Sequence, residues 1–350
     1  MLNQIVENHE IENLAKIFAR APFQRNSLHH SDAELIKLPG TKMTLAITMD
    51  SIVEEIETGL YSDPYLLGWM AVMASASDLA AVGARPLGIL INETFLTDTK
   101  KSFKIKIQNG IEAACYHCGM YVLGGDTNIS SQMEITGCAL GYIDKADPVT
   151  RKGCKPGDLL FISGKMGIGN AFALKKLTDS LDKDDIVYYQ PKSRLPEGQI
   201  ISDFATCCMD SSDGFFAALD QLKRINGAGF ILESKSEDFI HPDALRCCQS
   251  RNLPDWLMLA GHHGEYELLF TIPEKQLDAF SEAAKEINWQ PVRIGKVHEQ
   301  TYISMNDKME TVEVNTGRIR NIFSENSDKN VEEYIKKLLD LGKTFNRRAS

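Results

Sequence analysis

Tyr121-Val122-Leu123-Gly124-Gly125-Asp126-Thr127 is the stretch around which the rest of the chain arranges itself. Tyr121, Val122 and Leu123 read as the end of a buried strand. The two glycines permit a tight turn, or the close approach of a ligand to the backbone. Such a turn presents the Asp126 carboxylate and the Thr127 hydroxyl. A carboxylate on a glycine turn at a strand end can hold a cation that neutralises phosphate. An ordinary Gly-Gly-Asp turn is the other reading. Neighbouring stretches decide between them.

Upstream, Ile11, Leu14, Ile17 and Phe18 share one face of a helix expected over residues 8–20. Ser31-Asp32 opens a short strand, Pro39-Gly40 turns the chain, and Thr44 to Thr48 forms the next strand, ending at Met49-Asp50-Ser51. Asp63-Pro64 starts a long helix, with the proline where its missing N–H costs little. That helix passes Ser77-Asp78 and stops at Gly83, before Pro86. Asp78 lies in an apolar run, where a carboxylate must be paired, hydrogen-bonded or metal-bound. A strand over Leu87 to Asn92, a helix over 98–118 and a strand over Ile135 to Ile143 give this half a β-α-β-α-β rhythm. Pro148 and the basic, glycine-containing 150–158 segment mark a boundary.

The second half opens with a strand, Leu159 to Ser163, running into Gly164-Lys165-Met166-Gly167-Ile168-Gly169-Asn170 at a helix start. Its glycine spacing matches neither a Walker loop nor a dinucleotide fingerprint. The helix N-terminus could still cradle an anion, and a plain strand-to-helix turn is the alternative. Met209-Asp210-Ser211-Ser212-Asp213-Gly214 is a second acidic turn before a helix. Gly261-His262-His263-Gly264-Glu265-Tyr266-Glu267-Leu268 leads into another strand, and residues 328–342 form a terminal amphipathic helix. Adjacent histidines point different ways, so His262 and His263 do not read as a metal pair.

The composition is that of an ordinary globular chain of about two domains, with 43% apolar and 25% charged residues. A net charge of -10 argues against nucleic acid or a basic membrane face, so phosphates would need metal ions or a few local basic residues. The N-terminus lacks the features of a signal peptide, and the apolar window Leu66 to Val82 reads as a buried helix. The eight cysteines are expected to be reduced thiols of a cytoplasmic protein. Cys115 and Cys118 have redox or zinc spacing, but no second pair completes a site.

Assembled in order, these stretches resemble the superfamily of aminoimidazole ribonucleotide synthetase, selenophosphate synthetase and the hydrogenase maturation protein that dehydrates a carbamoyl group. The branch they match best is thiamine-monophosphate kinase. The resemblance spans about residues 8 to 300 and rests on Asp32-Ala33, Thr48 to Glu54, Ser77 to Pro86, and Gly124 to Thr127. It continues through Arg151 with Gly157-Asp158, Ser212-Asp213-Gly214 and Tyr266-Glu267-Leu268.

The resemblance implies an α+β fold of two α/β domains. Residues 1–148 would form an ATP- and magnesium-binding domain whose sheet pairs with a second copy in a dimer barrel. Residues 149–325 would form a mixed-sheet domain completing the cleft, and 326–350 a helix and tail. It implies phosphoryl transfer from ATP to a phosphorylated small molecule, thiamine monophosphate, by a homodimer. Asp32, Asp50, Asp78, Asp126 and Asp213 would be the magnesium acids. Thr48, Gly124, Gly125, Asp126, Thr127 and Arg151 would contact the nucleotide, and Asp213 and Arg151 would serve catalysis.

The chain departs from the kinase pattern at three places. Ser31 stands where a second acid is usual, Glu55 to Thr58 lacks a His-Phe pair, and His262-His263-Gly264-Glu265 replaces Gly-Gly-Glu-Asp. The last departure bears on the acceptor more than on ATP. A ligase or dehydratase of the same superfamily, activating an amide or formyl oxygen, and a non-catalytic nucleotide-binding relative are the competing expectations.

Overall fold

In chain order the elements are α1 (Val6–Ala15), β1 (Glu34–Lys37), β2 (Thr44–Ser51), α2 (Val53–Glu57), α3 (Pro64–Ala81), β3 (Arg85–Leu96), α4 (Lys101–Cys118), β4 (Tyr121–Ser130) and β5 (Glu134–Ile143). The second half carries β6 (Leu159–Ile162), α5 (Ile168–Leu177), α6 (Leu195–Phe204), β7 (Cys207–Asp210), α7 (Phe215–Asn226), β8 (Gly229–Leu232), α8 (Ser236–Phe239), α9 (Pro242–Arg251), α10 (Leu257–Ala260) and β9 (Leu268–Ile272). It continues with α11 (Leu277–Glu286), β10 (Val292–His298), β11 (Ile303–Asp307), β12 (Glu310–Glu313), α12 (Thr316–Ser324), α13 (Val331–Gly342) and β13 (Asn346–Ala349). The structure is a computed structural model that describes residues 5–145, 147–178, 187–307, 310–326 and 330–349.

Two mixed sheets organise the chain. The first has five strands in the order β1-β2-β5-β3-β4, and the second has eight in the order β13-β12-β11-β8-β10-β6-β9-β7. In the first sheet β3 and β4 run parallel, and the other pairings are antiparallel. Helices α3 and α4 cover one face. Gly68 and Gly110 make that packing close: a Cβ on Gly68 would lie 2.0 Å from the Ile107 carbonyl oxygen, and one on Gly110 2.0 Å from that of Tyr65. As the Asp63-Pro64 pair requires, Asp63 caps α3 by accepting from the Leu66 N–H at 2.9 Å. Almost every residue of α3 from Leu67 to Ala81 is buried, so the apolar window is a core helix. Among the described residues no helix is long and apolar enough to cross a membrane.

The opening stretch folds differently from its reading. β4 continues through Gly124 and Gly125 to Ser130, with no turn, and the whole strand is exposed. Pairing steps from Ile89↔Val122 to Leu90↔Gly124, so Leu123 is the extra residue of a β-bulge. Gly125 is there for close approach, since a Cβ would lie 1.8 Å from the Ile91 carbonyl oxygen. The glycines let the strand kink rather than reverse.

The chain ends also differ. Helix α1 stops at Ala15, and Leu14, Ile17 and Phe18 are exposed, so the apolar face expected over 8–20 is not a buried one. α1 belongs physically with the second half: Asn8 Nδ2 donates to Gln221 Oε1 at 3.0 Å, and Arg320 reaches Glu7 at 3.2 Å. After α13, β13 pairs with β12 at the edge of the second sheet, where the sequence suggested only a tail. Leu338 and Phe345 are buried in the second core.

Candidate active site

Thr48 and Asp50 alternate with Met49 on β2, so both point to the face that α3 covers. There Thr48 Oγ1 donates to Asp78 Oδ2. Asp32, just before β1, and Asp210, the last residue of β7, complete the group. One carboxylate oxygen each of Asp32, Asp78 and Asp210 lies within 4.8 Å of the others. Three elements and a loop from both halves of the chain thus converge on one acidic centre.

Each acid is held in place. Arg151 Nη2 donates to Asp32 Oδ1 at 2.9 Å, and the Asp32 side chain is fully buried. Asp210 accepts from Ser77 Oγ at 2.7 Å and from Ser212 Oγ at 3.1 Å. Burial and the neighbouring Asp213 push Asp50 up to about 6. Burial and Asp32 push Asp210 up to about 7, and burial with Asp50, Asp210 and Asp32 raises Asp78 well above the carboxylate range. Burial opposes the Arg151 charge, but Asp32, Asp78 and Asp210 more than offset it and its pKa is raised.

These residues fit a divalent metal centre. Asp32 Oδ2 and Asp50 Oδ2 are buried without a hydrogen-bond partner. Unpaired buried carboxylate oxygens that repel one another are the donor set a hard cation requires.

Asp50 and Asp78 also open onto a cavity of about 570 Å³, which Ser212, Asp213, His262 and Tyr266 line as well. Leu174, Leu257, Phe323, Tyr334, Ile335 and Leu338 give it apolar walls as well. Glu54, Glu55 and Thr58 line the side given by α2 and its end. Burial pushes Glu55 up to about 6.

The structure brings together Asp32, Thr48, Asp50, Asp78, Arg151 and, at the cavity, Asp213. It does not bring in Gly124, Gly125, Asp126 or Thr127. Gly125, Ile91, Gly137 and Asp50 form one row across the first sheet. Three strand spacings put Gly125 about 14 Å from Asp50. Asp126 is exposed and accepts from Asn128 Nδ2 at 3.0 Å. The residue missed from sequence is Asp210. Its signal in the sequence is an acid ending a buried strand, Cys207-Cys208-Met209-Asp210.

The other candidates resolve as follows. The N-terminus of α5 is taken by the chain's own carboxylate: Gly169 N–H donates to Glu265 Oε1 at 2.9 Å. His263 is buried, with its Nε2 3.2 Å from the Tyr61 hydroxyl, while His262 faces Asp213. Cys115 and Cys118 are buried free thiols that burial pushes up to about 12 and about 11, so they pack rather than react.

Two mixed sheets and a buried carboxylate centre drawn from both halves of the chain frame the site. Residues 30–143 match the family model "AIR synthase related protein, N-terminal domain". Thiamine-monophosphate kinase of Escherichia coli (strain K12) is 28% identical over 276 residues, covering 76% of this chain and 83% of that protein. The structure of AaThiL complexed with AMPPCP and TMP superposes with a TM-score of 0.71 at 21% identity, covering 87% of this chain and 94% of that one. Thiamine monophosphate kinase from Aquifex aeolicus gives a TM-score of 0.69 at 21% identity, covering 86% and 97%. Residues 30–143 therefore carry the AIR-synthase-related N-terminal domain that this family model describes. Over most of its length the chain is similar to thiamine-monophosphate kinases.

Proposed function

We propose that the chain transfers the γ-phosphoryl group of ATP to the phosphate of thiamine monophosphate, giving ADP and thiamine diphosphate. The observation that carries this is the cavity, which acids and apolar, aromatic side chains line together. The likeness to thiamine-monophosphate kinases supports it. Magnesium, when bound, neutralises phosphate charge and aligns the oxygens that exchange the phosphoryl group.

The chain's own residues supply the frame. Asp32, Asp78 and Asp210 would hold metal, with Asp50 beside them. Thr48, Ser77 and Arg151 fix the orientation of those carboxylates. Arg151 Nε is buried without a partner and offers one further donor toward phosphate. Asp213, half exposed at the cavity, would act on the transferred group. The apolar wall would exclude water from the acceptor.

We also infer a homodimer through the first sheet. The uncovered β4 edge and face present Tyr121, Val122, Leu123, Ile129 and Leu90, each more than 40% exposed. In a single chain Asp126 lies away from the acids, so a nucleotide role for Gly124 to Thr127 requires the second copy. The functional division near residue 148 separates the metal-bearing sheet from the domain that closes the cavity. Eight free cysteines support a reducing, cytoplasmic setting.

The test is an ATP, magnesium and thiamine monophosphate reaction followed by product mass. ADP with thiamine diphosphate is the expected outcome. Free phosphate with a ligated or dehydrated product would assign the chain to the other branch.

A further inference from the structure

The imidazole of His262 lies flat on the Phe323 ring, with centroids 3.6 Å apart and planes 22° from parallel. Tyr334 packs edge-on against Phe323, at 5.9 Å and 81°. His262 Nε2 is 3.8 Å from Asp213 Oδ1. One face of the imidazole is therefore covered and one edge is directed at the acid. The side chain remains 28% exposed and lines the cavity.

The backbone under it is tightly fixed. The Gly264 N–H donates to the Ser212 carbonyl at 2.9 Å, and a Cβ on Gly264 would lie 1.5 Å from the Ser211 oxygen. The His263 N–H donates to Asn170 Oδ1 at 3.3 Å. The His262 loop is thus clamped to the acidic turn carrying Asp213. A flat ring held at one face and one edge loses little freedom when a second ring lies on it. Glu54, Glu55 and Asp213 line the same space, which suits a cationic ring.

We propose that His262 is the stacking platform that positions the cationic heteroaromatic ring of the acceptor between the acidic centre and the apolar wall. This rests on the acceptor reading above and assigns it a specificity-determining residue. His262 stands where the kinase pattern has glycine, so the platform would be a feature of this chain rather than of the pattern.

The test uses the full chain with magnesium. His262→Ala is expected to raise the KM for thiamine monophosphate between about twofold and tenfold, the range for an aromatic stack. The KM for ATP should stay unchanged. His262→Phe keeps a flat ring and should restore the acceptor KM, which a merely structural role would not require. Calorimetry with thiamine monophosphate alone, without ATP, should show the same order of affinities.

An unchanged acceptor KM in His262→Ala, or equal losses for ATP and acceptor, would overturn the platform and leave the kinase reading standing. Failure of His262→Phe to restore binding would also overturn it. A wild-type protein that neither binds nor phosphorylates thiamine monophosphate would overturn the acceptor reading, and the platform with it.

Discussion

Arg151 Nη2 and Asp32 Oδ1 meet at 2.9 Å, although 119 residues separate them. The contact ties the segment between the two sheets to the loop before β1. It also leaves Asp32 Oδ2 without a partner, on a carboxylate that meets Asp78 and Asp210. One oxygen is anchored and the other is buried without a partner. Replacing Arg151 by Met strands a buried carboxylate among like charges. Metal-free Arg151→Met should lose about 3 kcal/mol of stability, read from the urea midpoint. Magnesium should restore more stability to the variant than it adds to wild type. An unchanged midpoint would contradict this reading of the contact.

Asp210 and Asp126 give opposite expectations for a single chain. Asp210→Asn keeps the size of the side chain but removes a charge from the centre. It should weaken magnesium-dependent ATP binding by at least about tenfold, as loss of a metal-site partner does. Asp126→Asn should leave binding unchanged in a monomeric variant and weaken it only in the dimer. Equilibrium dialysis at limiting magnesium reads both. Equal effects of the two substitutions in a monomer would remove Asp210 from its assigned place.

Asp213→Asn should lower turnover far more than ATP affinity. That is the pattern for an interaction made mainly in the transition state. The acid is half exposed and stands outside the buried trio, so its loss should not disturb the fold. Steady-state kinetics beside nucleotide binding measure the split. A parallel fall in both would place Asp213 among the ground-state ligands.

Two buried groups behind the cavity set opposing pH limits. Burial pushes His263 down to about 3 from an ordinary 6.5. The unfolded chain binds the extra proton between those values, so stability is lost as pH falls through that window. Burial pushes Glu265 up to about 8 from 4.5, against its hydrogen bonds with the α5 backbone. Here the native state binds the extra proton, so stability is lost as pH rises from 4.5 toward 8. Each contributes a slope of up to about 1.4 kcal/mol per pH unit. His263→Gln should flatten the acid limb and Glu265→Gln the alkaline limb, measured by urea unfolding across the range. Unaltered limbs would mean that neither group carries the difference.

Leu123→Asp places a charge on the bulged residue of the exposed strand. Because Leu123 is 55% exposed, the monomer fold should tolerate it. Light scattering should show a homodimer for wild type and a shift to monomer for the variant. A wild-type monomer at micromolar concentration would contradict the dimer.

The parts of this molecule legible in sequence are those set by local chemistry. Asp63-Pro64 marked α3 because capping and a first-turn proline act within four residues. Asp78 is legible because charge inside an apolar run needs a partner, and Asp32 and Asp50 because they stand at strand ends and match the resemblance. β4 was misread because Gly-Gly-Asp signals a turn locally, whereas its conformation follows from pairing with β3 across a bulge. Asp210 is not legible because the acids it joins, Asp32 and Asp78, come from the loop before β1 and from α3, far away in sequence. The occupation of the α5 N-terminus by Glu265, 96 residues downstream, was hidden for the same reason.

The central claim is tested most directly by the mass of the product. Wild-type protein with ATP labelled at the γ-phosphate, magnesium and thiamine monophosphate should yield ADP and thiamine diphosphate carrying the label. Turnover should require both magnesium and acceptor. Label recovered as free phosphate beside a ligated or dehydrated product, or trapped on the protein as a phosphoenzyme, would contradict direct transfer.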